Sequence, residues 1–156
     1  MPQLVKGGKF IYGLSRIGPE GTIVIPTLAM KEYQYAVGDR VIVMSGSRKS
    51  GGFGLTQKGL LEKSELKVMV ERLPGLMGFQ IAEAETVGNQ GRRFCWTVIK
   101  DGGCVNLPRK TLADYGLKAG DRLAVGRGSY LAIAFIARGP ILEEALKHPE
   151  LEVFGD

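Results

Sequence analysis

Few side chains in this sequence stand at spacings that support chemistry. Cys95 and Cys104 lie nine residues apart, and no Cys or His cluster surrounds them. They are not a C-x-x-C pair. His148 is the single histidine. Zinc sites draw mainly on Cys and His, so neither a structural nor a catalytic zinc is expected. Two buried, inert thiols are the ordinary reading of the cysteines, with a disulfide as the alternative. Glu143 and Glu144 are adjacent carboxylates near the end of the chain. There, surface solvation is the ordinary state. His148 has no evident triad or metal partner. No H-E-x-x-H, G-x-S-x-G or strand-linked G-x-G-x-x-G occurs. The expectation is a protein with no catalytic residues and no cofactor.

One loop has the composition of an anion cradle. Ser45-Gly46-Ser47-Arg48-Lys49-Ser50-Gly51-Gly52 combines consecutive small residues with two cations. Successive backbone N–H groups in such a stretch can hold an oxyanion, with Ser47, Arg48 and Lys49 as candidate ligands. It is no Walker motif, because G-x-x-x-x-G-K-[ST] is missing. A plain hairpin tip is the competing reading.

The chain as a whole is ordinary in size and polarity. Of its 156 residues 44% are hydrophobic and 24% charged, which argues against wholesale disorder. No apolar run approaches the ~18–20 residues that span a bilayer, and residues 1–6 carry no apolar signal core. A cytoplasmic protein without a membrane partner is expected. Net charge is +5, unevenly placed: residues 1–72 carry 11 basic and 6 acidic side chains, the remainder ten of each. Acids gather at the end as Glu143, Glu144, Glu150, Glu152 and Asp156. A basic body of this kind is weak evidence for nucleic acid.

The elements that must position these residues are repeated. A shift of 82 aligns residues 10–47 with 92–129 without a gap, and ten of the 38 positions are identical. Among them are Ile17/Ile99, Gly21/Gly103, Pro26/Pro108, Tyr33/Tyr115, Gly38/Gly120, Asp39/Asp121 and Arg40/Arg122. Each copy reads as strand–strand–helix–strand–strand. In the second copy Phe94, Trp96 and Val98 alternate with Cys95, Thr97 and Ile99. Turns at Gly18–Gly21 and Lys100–Gly103 lead into short strands at Thr22–Ile25 and Cys104–Leu107. Pro26 and Pro108 open helices over Thr27–Gln34 and Arg109–Tyr115, and Gly116 suits a helix end. Gly38-Asp39 and Gly120-Asp121 make turns in which Asp would cap following N–H groups. Strands follow at Arg40–Met44 and Arg122–Val125, returning at Phe53–Gln57 and Tyr130–Ala137. Phe79–Val87 reads as an extended strand and Pro140–Lys147 as a short helix. Arg40 and Arg122 suit pairing with a carboxylate or a turn carbonyl, with DNA contact as the alternative. Phe94, Trp96, Tyr33 and Tyr115 read as core.

The turn glycine, short strand ending in Ile/Leu-Pro, helix, Gly-Asp-Arg and hairpin resemble the AbrB/SpoVT family of swapped-hairpin proteins. The likeness covers residues 10–57 and 92–138. It implies a mainly β fold with short helices (α+β), in which two repeats interleave as an AbrB-like swapped-hairpin barrel pseudo-dimer. Residues 1–72 would form repeat 1, 73–91 a connection, and 92–156 repeat 2 with an acidic C-terminal helix and tail. A homodimer of two barrels is the competing assembly, and further homo-oligomers are compatible.

The function this resemblance implies is DNA-binding transcription regulation, with double-stranded DNA as partner. Arg16, Lys31, Lys100, Arg109 and Lys110, on the first hairpins and helices, would contact phosphates. Family members carry an Arg after the hairpin glycine, where this chain has Thr22 and Cys104. The alternative is a non-catalytic barrel module that binds a small anion or a protein partner without DNA affinity.

Overall fold

A computed structural model of the chain describes residues 10–89, 91–128 and 131–155. The first copy contributes β1 (Ile11–Arg16), β2 (Thr22–Val24), α1 (Thr27–Glu32), β3 (Arg40–Ser45) and β4 (Phe53–Thr56). Three short helices follow: α2 (Lys58–Glu62), α3 (Lys67–Glu71) and α4 (Pro74–Met77). After β5 (Val87–Asn89) the second copy runs through β6 (Arg92–Val98), β7 (Cys104–Asn106), α5 (Arg109–Asp114), β8 (Arg122–Arg127) and β9 (Ile133–Ile136). The chain closes with α6 (Pro140–Leu146) and β10 (Val153–Phe154). Ser129 and Tyr130, expected at the second hairpin tip and its returning strand, lie outside the described residues, as do Asp156 and the N-terminal stretch.

Strands pair between copies as much as within them. β1 lies antiparallel to β8, β3 to β6, β4 to β9, and β2 to β7. The repeated Gly-Asp turn explains part of this arrangement. Gly38 N donates to Ile99 O at 2.7 Å, and Ile99 N to Asp39 O at 2.9 Å. The second copy answers with Gly120 N to Ile17 O at 2.7 Å and Ile17 N to Asp121 O at 2.9 Å. Each turn thus clasps the opposite copy's first hairpin. The Asp side chains cap backward rather than forward: Asp39 Oδ2 accepts from Ala36 N at 2.9 Å, and Asp121 Oδ2 from Lys118 N at 3.0 Å.

The swapped-hairpin barrel is not formed. The main sheet is open, with eight strands in the order β10-β1-β8-β9-β4-β3-β6-β5, and β2-β7 is a separate ribbon. Closure would require β1 and β6 to meet. Instead β10 pairs with the free side of β1 and β5 with that of β6. Short strands outside the aligned segments thus cap part of each edge, and β1 and β6 do not pair. What stands is a mainly β protein with short helices; the barrel pseudo-dimer is corrected to an open mixed sheet.

Period-two alternation gives the sheet two apolar faces. One face, with Val41, Val43, Phe53, Leu55, Cys95, Leu123, Val125 and Phe135, joins the β2-β7 ribbon, α1 and α5 in the largest core. Phe53 and Phe135 are direct cross-strand partners, and their rings stack at 4.6 Å where β4 meets β9. The other face has two covers. Leu142 and Ala145 of α6 pack on Ile11, Leu14, Ala124 and Ile136. Leu61, Val70, Leu76 and Met77 of α2–α4 pack on Ile42, Met44 and Phe94.

Residues 79–86 are not the strand that their composition suggested. Phe79 and Ala84 adopt positive φ, 54° and 65°, which breaks an extended run. The segment is tied to β6 mostly by side chains: Trp96 Nε1 donates to Ile81 O at 2.8 Å, and Thr97 Oγ1 to Glu83 Oε2 at 2.8 Å. Among the described residues Arg40 pairs with no carboxylate; its guanidinium lies 5.1 Å from the Phe79 ring centre and 5.8 Å from that of Trp96.

Candidate functional site

A cavity of about 750 Å3 opens between the end of α1, the start of α2 and the end of β8. Glu32, Tyr33, Gln34, Gln57, Leu60 and Arg127 line it. Its size falls in the range of small-molecule sites. Glu32 is the last residue of α1, so the helix direction sets its carboxylate at the rim. Tyr12 Oη donates to Glu32 Oε1 at 2.5 Å, and Arg127 Nη2 lies 2.9 Å from both carboxylate oxygens. These bonds, from Tyr12 first and then Arg127, hold the Glu32 carboxyl below its ordinary range. Burial, then the bond to Glu32, pushes Tyr12 up to about 12. The Arg127 guanidinium rests on Phe10, 4.5 Å from the ring centre. A neutralised carboxylate with both oxygens engaged is a weak base.

The helix end places Gln34. Gln34 N donates to Lys31 O at 3.2 Å and Tyr35 N to Met30 O at 2.9 Å, the two bonds of a Schellman cap. Gln34 therefore takes the left-handed conformation, with φ 58°. The second copy repeats the cap with Gly116 N to Ala113 O at 3.0 Å and Leu117 N to Leu112 O at 2.9 Å. There the left-handed residue is glycine, with φ 72° at Gly116.

The residues expected to act are differently placed. Ser47 lines a second cavity of about 470 Å3, over Gly54 and Ala134 on the sheet face between the two helical covers. Arg48 and Lys49 are exposed and do not line it. Their loop is pinned, because Arg138 Nε and Nη2 donate to Arg48 O at 3.0 and 2.7 Å. The cation at that cavity is Arg92, whose Nη1 donates to Ser45 O at 3.3 Å. Arg16 ends β1, Lys31 lies in the last turn of α1, and Arg109 and Lys110 begin α5. Lys100 is engaged by Glu83, at 3.6 Å. None of these five lines the cavity between α1 and α2.

Gln34, Gln57, Glu32 and Arg127 were not singled out in the sequence. One signal for Gln34 was available: it faces Gly116 in the repeat alignment, at a position where glycine is the unstrained choice. Cys95 is buried and Cys104 half-buried, so only the first fits the expected pair of buried thiols; both are free. His148 does have partners, Glu150 at 2.7 Å and Glu144 at 3.2 Å.

No family model, no curated protein and no solved structure matches this chain. The AbrB/SpoVT membership is corrected on this ground together with the open sheet. The DNA-binding regulator reading and the barrel-module alternative both required the barrel, and they fall with it. No helix among the described residues is long and apolar enough to cross a membrane.

Proposed function

We propose that this protein is a non-catalytic receptor for a neutral small molecule rich in hydroxyl or amide groups, bound in the cleft between α1 and α2. The observation that carries the reading is Gln34. It occupies a left-handed helix-cap position where its counterpart is Gly116, and its side chain lines the cavity. A non-glycine residue held in that conformation is strained, by about 1–2 kcal/mol. Strain retained beside a cavity points to use of the side chain. Gln57, the N-cap residue of α2, adds a second amide with both donor and acceptor capacity. Glu32 and Arg127 neutralise one another, so the cleft favours an uncharged ligand. Tyr33 and Leu60 supply apolar wall. We assign a cytoplasmic setting, in which the unbridged Cys95 and Cys104 remain reduced.

The test is a thermal-shift and calorimetric survey of monosaccharides, nucleosides and small amides against the full chain. Binding should raise the melting temperature by mass action. Gln34→Gly and Gln57→Ala should keep the fold and lose the shift. A ligand that binds both variants as tightly as the wild type, or the lack of any binder, overturns the reading.

A further inference from the structure

The repeat builds a second cleft with different electrostatics. Glu32 and Asp114 correspond at the shift of 82, and each ends its helix. Against Glu32 the arginine comes from β8 as Arg127; against Asp114 it comes from β6 as Arg93, with Nη1 3.7 Å from Oδ1. The second carboxylate is held more loosely, and a further arginine is present. A cavity of about 470 Å3 is lined by Thr86, Gly88, Gly91, Arg92, Arg93 and Asp114. Its ionisable groups are two guanidiniums and one carboxylate, an excess of one positive charge. Thr86 lines it, and its Oγ1 is buried and makes no hydrogen bond, the one such side-chain atom among the described residues. A buried hydroxyl without a partner is destabilising and calls for an explanation.

We infer that this cleft, between β5, β6 and the end of α5, binds a terminal phosphate, free or carried on a small organic body. Phosphate takes several donors at once, which suits guanidiniums with N–H groups to spare. Arg92 gives one donor to Ser45 O and lines this cavity as well as the one over Gly54 and Ala134. A change of the Thr86 χ1 rotamer would turn its unpartnered hydroxyl to the ligand as a neutral donor. Gly88 and Gly91 bring no side chains of their own to the wall, so an oxyanion can approach the backbone at these two positions. The inference goes beyond the α1–α2 receptor reading and uses none of its residues.

Calorimetric titration of the full chain at low ionic strength tests it, with inorganic phosphate, glycerol phosphate and glycerol as probes. Both phosphates should bind and glycerol should not. Tighter binding of glycerol phosphate would assign an organic body; equal binding would assign the free ion. Arg92→Gln should weaken binding at least about tenfold and Thr86→Val several-fold, because each removes a donor to a charged acceptor. Thr86→Ser should retain it, and Arg109→Gln, a surface cation outside the cleft, should leave it unchanged. Lack of binding at about 10 mM phosphate, where even a millimolar site would show, overturns the inference. So does a loss in Arg109→Gln equal to that in Arg92→Gln, or full affinity in a folded Thr86→Val.

Discussion

Gln34 and Gly116 occupy the same cap position at the ends of α1 and α5, both left-handed, at φ 58° and 72°. The two hydrogen bonds around each are nearly the same length. The backbone requirement is therefore equal, and only the side chain differs. In one copy the helix end is built for its own stability; in the other it carries an amide into a cleft.

Exchanging the two residues should have opposite effects. Gly116→Gln should destabilise the protein by about 1 kcal/mol, since glycine alone takes left-handed φ without a Cβ penalty. Gln34→Gly should be neutral or stabilising by about 0.5 kcal/mol, the relief of strain being partly offset by the freer unfolded chain. Urea unfolding of both variants measures this, and a loss of stability in Gln34→Gly would contradict it.

Two turn glycines should differ sharply in tolerance. A Cβ on Gly21, at φ 86°, would lie 1.9 Å from the carbonyl oxygen of Leu107. A Cβ on Gly38, at φ 95°, meets nothing within 4 Å. Gly38→Ala should lose only the conformational penalty, about 1 kcal/mol. Gly21→Ala must also push β7 away from the first hairpin, and should lose about 3 kcal/mol or more. Equal midpoints for the two in urea would show that the ribbon yields easily.

His148 makes stability depend on pH. Bonds to Glu150 and then Glu144 raise its folded-state pKa. Lys147 also faces Glu144, at 3.9 Å. A pKa raised on folding means that the charged imidazole is favoured in the native state. Its contribution is complete below the unfolded value, about 6.5, and is lost as pH rises through the higher folded value. The stability difference between wild type and His148→Gln should therefore be larger at about pH 5.5 than at about pH 9. Thermal unfolding at both pH values checks it; a difference that grows with pH would reverse the sign.

Separated halves should not fold. In a fragment of residues 1–72, β1 lacks β8 and β3 lacks β6; in 73–156 the same ladders lack their other side. Each fragment should show little native circular dichroism and regain it on mixing. Two fragments that fold as stable monomers would show that the ladders between copies are dispensable.

The chain's inner organisation could be read because glycine, proline and aspartate mark turns whatever surrounds them. Gly21, Pro26 and Gly38-Asp39 announced the unit, and their partners 82 residues later announced its repetition. The additions to the unit could not be read. Val153-Phe154 is too short for a periodic signal, yet its pairing with β1 occupies one edge of the sheet. Lys58–Met77 holds three helices of four or five residues, each below the length at which helical periodicity shows. The clefts were illegible for another reason: Gln34, Gln57 and Arg127 are separated by up to 93 positions, and Gln57 nears Arg127 through the pairing of β4 with β9 and of β9 with β8, while Gln34 joins them at the end of α1, tied to β8 by Glu32 and Arg127. Arg92 and Arg93 stood at the first positions of the aligned second copy, but nothing in their spacing joined them to Thr86.

The clasp of each Gly-Asp turn on the opposite hairpin sets a schedule for the newborn chain. β1 emerges from the ribosome early, but its partner β8 follows roughly a hundred residues later, some 5–20 s at ordinary rates of synthesis. Through that interval the apolar strands of the first copy have bare edges and an uncovered face, the state from which chains aggregate. Any factor that shields nascent strands has its longest task before residue 122, and slow codons placed ahead of that point would lengthen the exposure.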